Sequence, residues 1–317
     1  MLRMAENQRL VLLVFSGILG LNIGSFLNVC IFRLPRNCMS IVKPRSRCPK
    51  CLSWIAWFDN LPVVSWCVLG GKCRHCKSPI SIRYTLVELL TGALFLVAGW
   101  RALYGAPAPG WPQAIDFAIE AWLLGAMIVC TFIDLEFRIL PDEVTISGLI
   151  IGLAASAAFP FLHGAMAHVP AGISVARAFR WFPGHGLPWP IGEPHLASVA
   201  ASLTGALAGG SSIWLVGVLG KLVFRKDAMG FGDVKYMAMI GAVLGWWGVL
   251  LTFVIACLAG SIFGIGKFLA VRRMGYVPFG PFLSFGALAM LFWASQVDDA
   301  LQAYLRGTHR LLDSLIR

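Results

Sequence analysis

The chain has 317 residues, of which 58% are hydrophobic and only 13% charged, and a formal net charge of +11. That composition excludes an ordinary soluble globular protein. It leaves room for roughly six to nine helical spans of about 20 residues each, with one small module outside the bilayer. The positive charge does not point to nucleic acid, because the basic residues sit in short loops beside apolar runs, where membrane orientation and anionic lipid account for them.

Arg3 and Arg9 precede an apolar run that continues past Asn22, Ser25 and Asn28 to Arg33 without a cleavage site. It reads as a retained first span over 10–32 rather than a signal peptide. The loop 33–83 carries ten Lys/Arg against one acid, Asp59, so the positive-inside rule places it in the cytoplasm. Further spans are predicted at 84–104, 114–133, 144–162, 197–219, 234–246, 248–270 and 280–296, about eight in all. Alternation then puts 18 of the 26 basic residues on the cytoplasmic side. The stretch 234–271 is divided at Gly245-Trp246-Trp247-Gly248, because a single crossing would send Lys267, Arg272 and Arg273 outside. The segment 163–196, with four His and five Pro, reads as an external loop, and 297–317 as an amphipathic surface helix. No internal repeat is evident. The expected architecture is an all-α polytopic membrane protein divided into a first span (1–32), a cytoplasmic cysteine loop (33–83) and a membrane domain (84–317).

Within the loop, Cys48-x2-Cys51 and Cys73-x2-Cys76 form two pairs of the kind that ligate Zn²⁺ tetrahedrally, and neighbouring cations favour the thiolate. Disulfides are disfavoured in a reducing cytoplasm, and redox catalysis ranks below both. Four protein ligands leave no open position for chemistry, so the zinc is structural, holding together a loop too short to bury its own core. Cys30, Cys38, Cys67, Cys130 and Cys257 show no pairing and read as packing residues.

Two aspartates stand where predicted spans meet the cytoplasmic face. Asp134 ends a span, where an anion opposes the helix macrodipole. Pairing with Arg138 is the bland explanation and catalysis the other. Asp233 follows Gly230-Phe231-Gly232, whose glycines free the backbone for close approach to another chain. Asp142, after Pro141, reads as a helix N-cap. Two nearby carboxyls can share one proton, the ionised one activating water and the protonated one donating to a carbonyl. That is aspartic-protease chemistry, and a glycine-lined approach can hold an extended substrate by backbone hydrogen bonds.

Taken together these segments resemble the type IV prepilin peptidases, leader peptidase/N-methyltransferases of the GxGD membrane aspartic protease type. The resemblance runs through Gly24-Ser25-Phe26-Leu27-Asn28-Val29, Arg33-Leu34-Pro35, Pro44-Arg45-Ser46-Arg47-Cys48-Pro49-x-Cys51, Asn60-Leu61-Pro62, Gly71-x-Cys73-x-x-Cys76, Pro79-Ile80-Ser81 and Arg83-Tyr84. It continues in Asp134, Leu140-Pro141-Asp142, Gly230-Phe231-Gly232-Asp233-Val234-Lys235 and Pro278-Phe279-Gly280-Pro281-Phe282. It implies Asp134 and Asp233 as the catalytic pair and Cys48, Cys51, Cys73 and Cys76 as zinc ligands. It further implies prepilins and pseudopilins as substrates at the bacterial inner membrane, cut after a glycine, with S-adenosylmethionine methylating the new N-terminus. No glycine-rich dinucleotide-type turn marks a site for that donor. Gly71 is a candidate methylation-sensitive position, or simply a turn glycine. The rivals are a transporter using the acids for a proton or cation, and a non-catalytic assembly factor docking through the cysteine loop. Intramembrane acids permit the first, while the GxGD segment counts against the second.

Overall fold

The computed structural model describes residues 5–36, 40–42, 45–105, 109–163, 194–225, 230–271 and 277–316. The helices are α1 (Glu6–Arg33), α2 (Val64–Val68), α3 (Arg83–Tyr104), α4 (Trp111–Phe137), α5 (Asp142–Ala158), α6 (Pro194–Phe224), α7 (Phe231–Val271) and α8 (Gly280–Ile316). Short 3-10 turns occupy Leu34–Arg36, Trp57–Asn60 and Pro160–His163. No strand occurs among the described residues, only the isolated bridges Arg47–Trp54 and Lys72–Pro79.

The all-α membrane architecture is borne out. Among the described residues five helices are long and apolar enough to cross a bilayer, namely α1, α3, α4, α6 and α7. The spans expected at 234–246 and 248–270 lie in one 41-residue helix, α7, whose helical geometry is interrupted at Gly245 (φ 72°, ψ 175°). The interruption falls where the Gly-Trp-Trp-Gly sequence places it, at a residue without a Cβ to resist positive φ. The span expected at 144–162 is α5, with 17 residues, and that at 280–296 is the first part of α8, which breaks at Trp293 (φ −128°, ψ 26°). The external loop expected at 163–196 falls, from 164 to 193, outside the described residues.

The chain forms two compact units, residues 1–144 and 145–317. In the first, α1 packs along α3 through Gly17, Gly20 and Gly24. A Cβ at Gly20 would lie 2.8 Å from the Thr91 carbonyl oxygen, and one at Gly24 2.7 Å from the Glu88 Cα. This is the small-xxx-small logic of membrane helices, where close backbone approach supplies the attraction that lipid cannot. Helix α4 closes the triangle, its Ile128, Val129 and Ile133 meeting Leu27, Ile31 and Val87. In the second unit Gly205 and Gly209 of α6 lie against the backbone of α7 at Gly241 and Met237. The buried Tyr236 hydroxyl meets Ser284 of α8 at 2.6 Å.

Candidate metal centre and aspartate positions

The cysteine loop contains two copies of one turn. After Cys48-Pro49-Lys50-Cys51, the Cys48 N–H donates to the Ser53 carbonyl (3.0 Å) and the Leu52 N–H returns to the Cys48 carbonyl (2.9 Å). After Cys73-Arg74-His75-Cys76, Cys73 N–H donates to Ser78 (2.9 Å) and Lys77 N–H to Cys73 (3.0 Å). Leu52 and Lys77 both take the left-handed conformation (φ 58° and 57°). Each turn is closed by one of the two isolated bridges. The repeat is legible as Cys-x2-Cys-x-Ser at 48–53 and 73–78, a signal missed when only the cysteines are aligned.

These turns bring all four thiols together, every Sγ within 4.8 Å of the others. Cys48 Sγ lies 3.8 Å from Cys76 Sγ, and Cys51 Sγ 4.0 Å from Cys73 Sγ. Corners of a tetrahedron with 2.3 Å metal–sulfur bonds are about 3.8 Å apart, whereas a disulfide needs about 2 Å. The set therefore fits a metal ion and not two disulfides. Hydrogen bonds from the Ser78 hydroxyl and backbone bring the Cys76 thiol down to about 6, and the Cys51 backbone N–H lowers that of Cys48. Both shifts favour the thiolate that a metal requires, whereas burial and the neighbouring thiols of Cys48 and Cys76 raise that of Cys73.

The rest of the loop is tied to the helices. Asp59 accepts two hydrogen bonds from Arg74, at 2.6 and 2.7 Å, which hold its carboxyl below the usual range. Trp66 donates from its indole to the Ile80 carbonyl, at 3.2 Å. The Gly71 N–H bonds to the Trp66 carbonyl at 2.8 Å. Gly71 sits at φ 66°, and a Cβ there would come within 3.0 Å of the Trp66 ring. Its turn role thus has a physical basis. Buried Glu88 on α3 accepts the N–H of Val63, a residue held at φ 64° (2.8 Å). Asn28 of α1 donates to the Tyr84 carbonyl at the start of α3 (2.9 Å).

Asp134 lies in the last turn of α4 and is 5% exposed. Its carbonyl accepts the N–H of Arg138, which caps the helix in the left-handed conformation (3.0 Å, φ 59°). Two residues on, Glu136 forms ion pairs with Arg83 of α3 and with Arg36 in the 3-10 turn that follows α1 (3.5 Å to the latter). Arg36 also lies over the Phe32 and Phe137 rings. Neither Glu88 nor Glu136 is marked by sequence reasoning.

Asp233 occupies the first turn of α7, half-buried, its N–H donating to the Gly230 carbonyl at 3.2 Å. A carboxylate there is favoured by the positive end of the macrodipole, the reverse of the situation at Asp134. Asp142 and Glu143 lie in the first turn of α5.

Two family models match the chain. Residues 18–102 match the Bacterial Peptidase A24 N-terminal domain, and 121–265 match the Type IV leader peptidase family. The first range includes the four cysteines and the second both aspartates. The chain is 36% identical over 262 residues to a prepilin leader peptidase/N-methyltransferase of Myxococcus xanthus (strain DK1622), covering 83% of this chain and 65% of that protein. It is 33% identical over 303 residues to a protein of that name from Aeromonas salmonicida (strain A449), covering 87% and 89%. With that of Stutzerimonas stutzeri it shares 31% over 313 residues, covering 91% and 93%. No solved structure matches.

Proposed function

The chain belongs to the type IV leader peptidase family, and on that footing we propose that it removes the leader of type IV prepilins and type II secretion pseudopilins and methylates the new N-terminal residue. The observation that carries this reading is the similarity to prepilin leader peptidase/N-methyltransferases along most of the chain, through both aspartates and the cysteine loop. Those relatives favour neither a transporter nor a non-catalytic assembly factor.

In this reading Asp134 and Asp233 are the catalytic pair. One of the two carboxyls, ionised, takes a proton from water. The other, protonated, gives its proton to the scissile carbonyl. The water attacks the carbonyl carbon, the peptide bond breaks, and the departing amine takes up the proton. The substrate's apolar helix remains in lipid while its cut end is presented at the inner-membrane face, which the basic loop marks as cytoplasmic.

The four thiolates hold Zn²⁺, supported by their spacing and by the lowered Cys76 and Cys48 thiols. The ion is structural because its coordination is complete. S-adenosylmethionine supplies the methyl group, and the first cytoplasmic loop is the module assigned to that transfer. The test is incubation of the purified protein with a prepilin and S-adenosylmethionine, with leader loss and methyl addition read by mass. A prepilin left uncut, with ion flux in proteoliposomes, would overturn the reading.

A further inference from the structure

The cysteine loop carries an apolar surface that its own fold does not use. Trp57 is 73% exposed, and Val64 and Val68, one helical turn apart on α2, are 57% and 75% exposed, with Leu61 and Phe58 beside them also exposed. Large side chains left open together on a module this small mark a binding surface. Their surroundings identify what covers it.

The first indication is depth. Helix α3 has 22 residues, or about 33 Å, scarcely more than the ~30 Å hydrocarbon core, so nearly all of it is needed to cross. Its Glu88 lies five residues past Arg83 and therefore at or inside the edge of that core. The Glu88 carboxylate holds the Val63 N–H at 2.8 Å. The start of α2 is thereby fixed level with the second turn of a span, not out in the cytoplasm. Leu86, Leu89 and Leu90 of that same stretch of α3 are exposed as well, as residues facing acyl chains are. The apolar residues of α2 and those of this stretch of α3 are thus exposed at the same level of the membrane.

The second indication is charge. The loop bears ten Lys/Arg and one acid, and that acid is occupied by Arg74. Arg45, Arg47, Lys50, Lys72 and Lys77 are all exposed. A surface that is apolar at one level and cationic around it matches the boundary between acyl chains and anionic headgroups, where tryptophan also partitions. A second copy of the chain would bring an equal positive charge against it.

We infer that the Trp57–Val68 segment is an interfacial anchor that seats the metal-binding loop on the membrane, with anionic phospholipid as its partner. The anchor fixes the loop's height beside the ends of α1 and α3. It stands whether or not the peptidase reading does, since it rests only on the membrane fold.

The test uses the full chain in nanodiscs with a photocrosslinker introduced as Trp57→p-benzoylphenylalanine or Val68→p-benzoylphenylalanine, and Leu90→p-benzoylphenylalanine as the lipid-facing reference. After irradiation, mass spectrometry should find phospholipid adducts at positions 57 and 68 in yields comparable to position 90. Replacing phosphatidylglycerol by phosphatidylcholine should lower the yields at 57 and 68 about fivefold while leaving position 90 unchanged. Crosslinks to a second copy or to the chain's own C-terminal half in place of lipid would overturn the inference. So would yields at 57 and 68 that ignore headgroup charge. Metal content equal to the parent's shows that the loop remains folded in each variant.

Discussion

Glu136, in the last turn of α4, is ion-paired with Arg83, the first residue of α3. The same carboxylate reaches Arg36 at 3.5 Å. Both ends of the cysteine loop are therefore tied to one side chain two residues from Asp134. An acid at a helix C-terminus is unfavourable by itself, and two guanidinium groups offset that.

If this tie positions Asp134, Glu136→Gln should slow leader cleavage about threefold to tenfold, the range that one or two partly exposed ion pairs support. The loss should appear in kcat more than in KM, because the ion pairs act through the position of Asp134. High salt should reduce the parent enzyme toward the variant and leave the variant unchanged. A rate insensitive to both substitution and salt would show that the pairs only decorate the surface.

Asp134→Asn and Asp233→Asn should each abolish leader removal while the protein still inserts into the membrane. General acid–base groups typically contribute about 10² to 10⁴ in rate, so residual activity belongs at or below the percent level. Asp142→Asn should be milder, since asparagine serves equally at a helix N-terminus. Measured initial rates with one prepilin decide the assignment, and near-normal cleavage by either of the first two removes that residue from the pair.

Purified, chelator-free protein should contain one zinc per chain. Cys→Ser at 48, 51, 73 or 76 should lower that content and open the loop between residues 45 and 80 to added protease, because two short turns have little core to hold them without the ion. Elemental analysis finding no zinc would refute the assignment. Cleavage activity should survive in part, since neither aspartate lies on this loop.

The parts of this site legible in the sequence are those with local causes. Cysteine pairs at x2 spacing, a Gly-Trp-Trp-Gly interruption and a Gly-x-Gly-Asp segment each carry their geometry within a few residues, and each appears where expected. Gly20-x3-Gly24, which underlies the α1–α3 contact, is an equally local signal absent from the sequence reading above. The roles of Glu88 and Glu136 were not legible, because their partners lie 25 and 53 residues away and meet them only after the helices have packed. Hydrophobic periodicity could not divide α7 into spans either, as a helix apolar on all sides has no phase to read.

The Asp59–Arg74 pair predicts the acid limit of the loop. Its hydrogen bonds hold the Asp59 carboxyl below its ordinary value, so the stabilisation is present above the ordinary carboxylate range and fades as pH falls through the lowered value. Proteolytic protection of the loop should therefore be flat from neutral pH down to about pH 4 as far as this pair is concerned. Asp59→Asn should weaken protection at neutral pH and remove the additional acid loss below that point. The comparison needs an acid-active protease and zinc content measured in parallel, so that loss of the ion is not taken for loss of the pair.

Gly71 separates the two activities. At φ 66°, with the Trp66 ring 3.0 Å from where a Cβ would stand, an alanine meets both backbone strain and a packed aromatic. The left-handed conformation alone costs about 1–2 kcal/mol for a residue with a side chain. The strain falls beside Cys73 and the Trp66–Ile80 hydrogen bond, inside the loop assigned to methyl transfer. Gly71→Ala should therefore depress methylation more than leader cleavage. Already cleaved pilin offered with labelled S-adenosylmethionine isolates the second step. Transfer should persist with the Asp233→Asn variant and fall with Gly71→Ala, whereas loss in both would mean that one shared site performs the two reactions.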